Sequence, residues 1–164
     1  IERSALFIYL NRHAFNGLCR YNKQGAFNVP FGKYRKTKFP LESMIDFSIK
    51  ARKAEFKCQD FRETFKLLRT DDVIYCDPPY IPLSETSSFT SYSKDKFYLS
   101  DHADLTNEAV QAKRKGLQCL ISNHDLELTR ELYSEAIIYE LLVQRNIASR
   151  SDSRQKISEI VAVF

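Results

Sequence analysis

From residue 54 onward the chain alternates short apolar runs with helical stretches, and this rhythm limits the fold more than any other feature. Residues 54–58 read as a strand, 60–69 as a helix with Phe61, Phe65 and Leu68 on one face, and 73–76 as a short buried strand. Ser100 can cap a helix over 101–115, which Gly116 ends. Residues 117–121 read as another buried strand, followed by Ser122-Asn123-His124-Asp125 and a helix to about 134. Residues 136–143 and 156–164 close the chain as strands around the polar segment 145–154. Strands alternating with helices imply an α/β fold, with a mostly parallel sheet covered on both faces.

The first 53 residues follow a different pattern. Residues 4–10 read as the body of a buried helix, and the turn-forming Asn16-Gly17, Gly25, Pro30 and Gly32 separate short aromatic runs. That punctuation predicts a long β-hairpin or extended loops over about 13–31. Pro40 then opens a helix with Leu41, Met44, Ile45, Phe47, Ile49 and Ala51 near a 3.6-residue period. The chain therefore divides near residue 53, into segments 1–53 and 54–164.

Composition excludes several classes. With 43% hydrophobic residues the chain is not a disordered one. Its early apolar run, residues 5–10, is far shorter than the ~20 residues a spanning helix needs, and no signal-peptide cleavage site follows it. A cytoplasmic protein with no membrane association is expected. The four cysteines, Cys19, Cys58, Cys76 and Cys119, match no zinc spacing. Three lie in apolar, strand-like runs and are expected to be reduced and buried, with no metal.

The net charge of +4 conceals a sharp division. Between residues 3 and 41 stand Arg3, Arg12, Arg20, Lys23, Lys33, Arg35, Lys36 and Lys38 without one carboxylate, while the rest of the chain is net acidic. Such a stretch is an electrostatic footprint for a polyanion. Interleaved Phe15, Tyr21, Phe27, Phe31, Tyr34 and Phe39 can stack on or wedge against nucleobases. A solvated basic face with its aromatic residues in the core is the other reading of the same composition.

The apolar residues 73–76 run straight into Asp77-Pro78-Pro79-Tyr80. In open α/β sheets ligands bind at the carboxyl ends of the strands. Two prolines fix φ near −65° and remove two N–H donors, giving a stiff turn with outward carbonyls. One carboxylate, a carbonyl and an aromatic ring in fixed relation suit a planar substrate with an exocyclic amine. Asp77 and a backbone carbonyl accept its two N–H bonds, and Tyr80 stacks on its ring. A plain rigid turn is the alternative.

Taken with Leu10-Asn11-Arg12-His13, Asn16-Gly17-Leu18-Cys19-Arg20-Tyr21-Asn22, Asn28-Val29-Pro30-Phe31-Gly32, Phe89-Thr90-Ser91-Tyr92 and Ile121-Ser122-Asn123-His124-Asp125, this turn resembles the Dam-type DNA adenine methyltransferases. The likeness runs in order over nearly the whole chain. It implies part of a Rossmann-like, S-adenosyl-L-methionine-dependent methyltransferase sheet, preceded by part of a target-recognition domain. It also implies methyl transfer to adenine N6 in GATC within double-stranded DNA, after base flipping, in a cytoplasmic, nucleoid-associated enzyme with no obligate protein partner. In that comparison Asp77, Pro78, Pro79 and Tyr80 form the catalytic turn, with the amine held by Asp77 and the Pro78 carbonyl. Asp60, Phe61 and Asp77 match cofactor contacts, although Asp60 is equally suited to cap a helix. Arg20 matches a residue that reads a guanine edge, or else meets a phosphate. Leu18 and Pro30 match thymine-methyl contacts, with a small hairpin core as the alternative for Leu18. Phe15 and Asn16 match residues that fill the space left by the flipped base. Arg12, Asn28, Lys33, Arg35 and Lys36 are taken with the arm as DNA contacts, and Phe89 and Tyr92 with a loop that holds the target region.

The family's Phe-x-Gly-x-Gly turn and its ribose-holding acid have no counterpart among these residues. The chain is thus expected to be the C-terminal part of a larger enzyme, to bind S-adenosyl-L-methionine poorly alone, and to expose apolar sheet surface. Two competing readings stay open: a DNA-binding remnant without catalysis, and an amine methyltransferase acting on RNA or a protein glutamine.

Overall fold

The computed structural model describes residues 1–34, 39–83, 97–144 and 156–164, which fall into two units, Ile1–Lys57 and Cys58–Phe164.

In the first unit, α1 (Glu2–His13) carries Glu2 at its start and Arg12 and His13 at its end, charges that complement the helix dipole. The helix forms as expected but buries none of its residues, and Leu6, Phe7 and Tyr9 are exposed. Its apolar run is continuous on every side, so it supports a helix without selecting one face for burial. After α1, the expected long hairpin reduces to two isolated antiparallel bridges, Ala14 with Phe31 and Tyr21 with Phe27. Backbone bonds from Phe15 N to the Pro30 carbonyl (2.8 Å) and from Asn28 N to the Arg20 carbonyl (3.0 Å) tie the arm between them. A continuous ladder fails for local reasons. A 3-10 turn, Phe15–Gly17, holds Asn16 and Gly17 at φ of 53° and 64°, and Pro30 has no N–H to donate. Helix α2 (Leu41–Ala51) begins directly after Pro40, as its sequence predicts. Residues 54–58 are not the expected strand, for no strand pairs with them among the described residues.

The second unit is a four-stranded sheet in the order β1 (Val73–Cys76), β2 (Gln118–His124), β4 (Lys156–Val163), β3 (Ile137–Gln144). Among the described residues β1 and β2 run parallel, and β4 is antiparallel to both β2 and β3. The mostly parallel sheet expected from the alternating rhythm is therefore a mixed one, because β4 inserts between β2 and β3 instead of following a helical crossover. Helices α3 (Phe61–Phe65), α4 (Leu99–Arg114) and α5 (Glu127–Leu132) accompany it. Helix α3 is shorter than the sequence suggests. Helix α4 starts one residue before Ser100, with the Tyr98 N–H donating to the Asp101 carboxylate (2.8 Å), and stops at Gly116, whose φ of +80° suits a residue without Cβ.

One face of this sheet carries the core. Cys119, Ile121, Ile160 and Ala162 pack there with Phe65, Leu105, Ala109, Val110, Tyr133 and Phe164. Burying a side chain such as Ile121 contributes roughly 1.5–3 kcal/mol. The opposite face, with Val73, Tyr75, Ile137, Tyr139 and Leu141, is exposed among the described residues, so coverage on both faces is not what the structure shows.

Candidate active site

The parallel register pairs Cys76 with Ile121, so the residues after Cys76 lie against the last three residues of β2. Strand β2 extends through His124, three residues beyond the expected end, and Ser122, Asn123 and His124 are all buried. These three polar residues hold the 77–81 turn. The Ser122 hydroxyl donates to Asp77 Oδ1 at 2.9 Å and accepts from the Tyr75 hydroxyl at 3.1 Å. Asn123 Oδ1 accepts from the Ile81 N–H (3.0 Å) and from the His124 N–H (2.9 Å), while its Nδ2 donates to the Tyr133 hydroxyl (3.1 Å). His124 Nδ1 lies 2.7 Å from the Ile81 carbonyl, which can only accept, so Nδ1 carries the proton. The Tyr80 ring meets the His124 ring edge-on, with centroids 5.0 Å apart.

Helix α4 grips the turn from another side. The His102 imidazole lies near the Pro79 carbonyl, and Phe97 packs edge-on against it at 4.7 Å. His102 is buried, and its Nδ1 has no partner among the described residues. Burial pushes its pKa down, against the opposing pull of Asp101. His102 and His124 are both buried. The Tyr80 hydroxyl is pushed up, chiefly by burial and against the opposing influence of the Ser122 hydroxyl. Cys119 is buried beside Cys76, and that contact with burial holds it protonated; Cys58 is exposed because its segment is not a strand.

The outcome is a stiff turn with Pro78 buried and Asp77 exposed. Asp77 Oδ1 is spent on Ser122, and Oδ2 has no partner among the described residues. The residues expected to contact the cofactor fare differently. Asp60 caps α3 by accepting from the Arg62 N–H (2.9 Å) and pairs with the Arg62 guanidinium (3.2 Å). That guanidinium also lies over the Phe61 ring, 4.4 Å from its centroid, and reaches Asp101 at 2.8 Å. Asp60 and Phe61 thus both engage Arg62, while the Asp60 side chain keeps 54% of its surface exposed.

In the first unit, Arg20 is braced by Asn28, with Nε on the side-chain oxygen (2.9 Å) and Nη2 on the backbone carbonyl (3.0 Å). Nη1 has no partner among the described residues. Phe15 is 50% exposed and Leu18 37% exposed. The Asn16 N–H donates to the Tyr34 hydroxyl at 2.9 Å, a contact the sequence did not signal. Arg12 and Lys33 are exposed and Pro30 serves the arm through its carbonyl. Arg35, Lys36, Phe89 and Tyr92 lie outside the described residues. Among the described residues no cluster of His, Cys, Asp and Glu could hold a metal ion, and no helix is long and apolar enough to cross a membrane.

The sequence profile of the D12 class N6 adenine-specific DNA methyltransferases matches residues 1–147, and the chain belongs to that family. It is 48% identical over 163 residues to the DNA adenine methylase of Vibrio cholerae serotype O1, covering 99% of this chain and 59% of the relative. The DNA adenine methylases of Haemophilus influenzae and Escherichia coli K12 are 46% and 44% identical, again over 99% of this chain and over 57% and 59% of their own lengths. The chain thus spans about three fifths of the length of the curated relatives it matches.

Proposed function

We propose that the protein takes part in methyl transfer from S-adenosyl-L-methionine to the N6 amine of adenine in double-stranded DNA, at GATC, with the target base flipped out of the helix. The observation that carries this reading is the exposed Asp77 carboxylate, fixed through one oxygen and open at the other, on a turn gripped by buried polar residues. Adenine N6 is a weak nucleophile because its lone pair is delocalised into the ring. Bonds from its two hydrogens to Asp77 Oδ2 and the Pro78 carbonyl favour a tetrahedral nitrogen and free that pair for in-line attack. Tyr80, seated against His124, supports the flipped ring by stacking. The bound S-adenosyl-L-methionine supplies the methyl group; the chain's own contribution is position and electrostatics. Deprotonation of the product amine to water completes the step without a protein base. Arg20, pre-set by Asn28, reads a guanine edge, and the other arm residues meet the duplex. This reading places the protein in the cytoplasm, on nucleoid DNA.

The test is transfer of labelled methyl groups to a GATC duplex, with a premethylated duplex as control. It is run on this chain and on the chain completed with the part of the Vibrio cholerae relative it does not cover. Adenine methylation is expected in the longer chain, with Asp77→Ala abolishing turnover and leaving DNA affinity nearly intact. No methylation in either chain, or transfer to the premethylated duplex, refutes the proposal.

A further inference from the structure

Asp77 is exposed, and a free carboxylate turns easily about its last bond, whose torsional profile is broad and two-fold. An amine that needs one acceptor at a fixed place is served poorly by such a rotor. In this structure the rotation is arrested from β2. Ser122, 4% exposed, places its hydroxyl 2.9 Å from Asp77 Oδ1, and the Cys76 carbonyl, a second acceptor, stands farther away at 3.4 Å. A serine has one proton, and two groups decide where it goes. The carboxylate is the nearer and more strongly charged acceptor. The Tyr75 hydroxyl donates to Ser122 Oγ at 3.1 Å, occupying a lone pair and turning the serine proton away from itself. Tyr75, Ser122 and Asp77 thereby form a directed relay of donors that ends on one carboxylate oxygen.

We propose that Ser122 is the positioning residue of the site: it ties up Asp77 Oδ1 so that Oδ2 alone, at a set angle, is presented to the substrate amine, with Tyr75 orienting its proton. The inference rests on the adenine-methylation reading above and adds to it the group that sets the geometry of the acceptor. Ser122 is buried behind Asp77 and acts through it, so its removal is expected to lower the rate of the bound complex and leave binding in place. A misplacement of about 1 Å at a reacting group can cost on the order of 100-fold in rate.

The experiment compares parent, Ser122→Ala, Ser122→Thr and Tyr75→Phe in whichever chain methylates the duplex, reading kcat, KM for DNA and melting temperature. Ser122→Ala is expected to lower kcat about 10- to 100-fold with KM within about twofold, Ser122→Thr to recover most of the loss, and Tyr75→Phe to lower kcat by a few-fold. Tyr75 is 63% exposed, so its variant tests the relay without disturbing the core. A parent active while Ser122→Ala and Tyr75→Phe stay within twofold of it overturns the assignment and leaves the function standing. So does a Ser122→Ala loss that appears equally in KM and in melting temperature, the pattern of a merely structural serine. A parent that methylates nothing removes the function and this inference together.

Discussion

Asn123→Ala removes three hydrogen bonds at a position with no solvent exposure, and their worth can be counted. Oδ1 accepts from the Ile81 and His124 N–H groups, and Nδ2 donates to the Tyr133 hydroxyl. At about 0.5–1.5 kcal/mol net for each bond, the loss is roughly 2–4 kcal/mol. The upper part of that range is favoured because Tyr133 is 1% exposed and its hydroxyl cannot turn to water, whereas the half-buried Ile81 N–H can be partly rehydrated. Tyr133→Phe, which removes only the third bond, should cost about 1 kcal/mol. Urea unfolding followed by circular dichroism measures both values, compared at equal slope. Amide hydrogen exchange supplies the local readout: the Ile81 N–H should exchange about tenfold faster in Asn123→Ala and unchanged in Tyr133→Phe, since roughly 1.4 kcal/mol of local protection corresponds to a factor of ten. An Asn123→Ala cost under about 1 kcal/mol with unaltered Ile81 exchange would show that the side-chain amide does not hold the turn.

Two further outcomes follow from other contacts. Arg20→Ala should lose about 1–3 kcal/mol of discrimination at a single base pair, and Asn28→Ala a smaller part of it at the same pair; binding measured across a set of single-base variants checks this, and an equal loss on every sequence would make Arg20 a phosphate contact. His102 has its pKa lowered by burial, so the unfolded chain takes up its proton first as acid is added. Stability is therefore unaffected above about pH 6.5 and declines as pH falls below it toward the lower folded value. Asp101 and Asp125, both held low by arginines, add their own loss only as the pH drops below about 4, which separates the two windows. Melting temperatures from pH 8 to 5 should fall for the parent and stay flatter for His102→Gln, and parallel curves would sink the assignment.

Local punctuation was readable from the residues. A four-residue apolar run before two prolines marks a strand end, Gly116 marks a helix end, and β3 and β4 fall within a residue of their expected bounds. Pairing was not readable, because an apolar run does not say which neighbour it takes; β4 sits between β2 and β3, and residues 54–58 find no partner among those described. The site suffered from the same limit. Ser122, Asn123 and His124 look like a loop because they are polar, yet they continue a buried strand, since the turn beside them satisfies their hydrogen-bonding groups. His102 was invisible for a related reason: its role depends on a carbonyl 23 positions earlier in the chain, Pro79, that only the fold brings near. Asp60 shows the reverse case, where the cap that local sequence suggested is realised.

The two-residue period of β2 bears on which changes of length the gene can tolerate. Ser122 turns to the face that carries Tyr75, and Asn123 to the face that carries Ile121 and Tyr133, so a single strand operates two different latches on the one turn. Deleting or inserting one codon between positions 118 and 121 would exchange those faces while leaving the Ser-Asn-His spelling untouched. Amide would then stand where hydroxyl is needed, and hydroxyl where amide is needed. An in-frame indel there should be far more damaging than most substitutions in the same strand, and a two-residue change, which restores the faces, less damaging than a change of one.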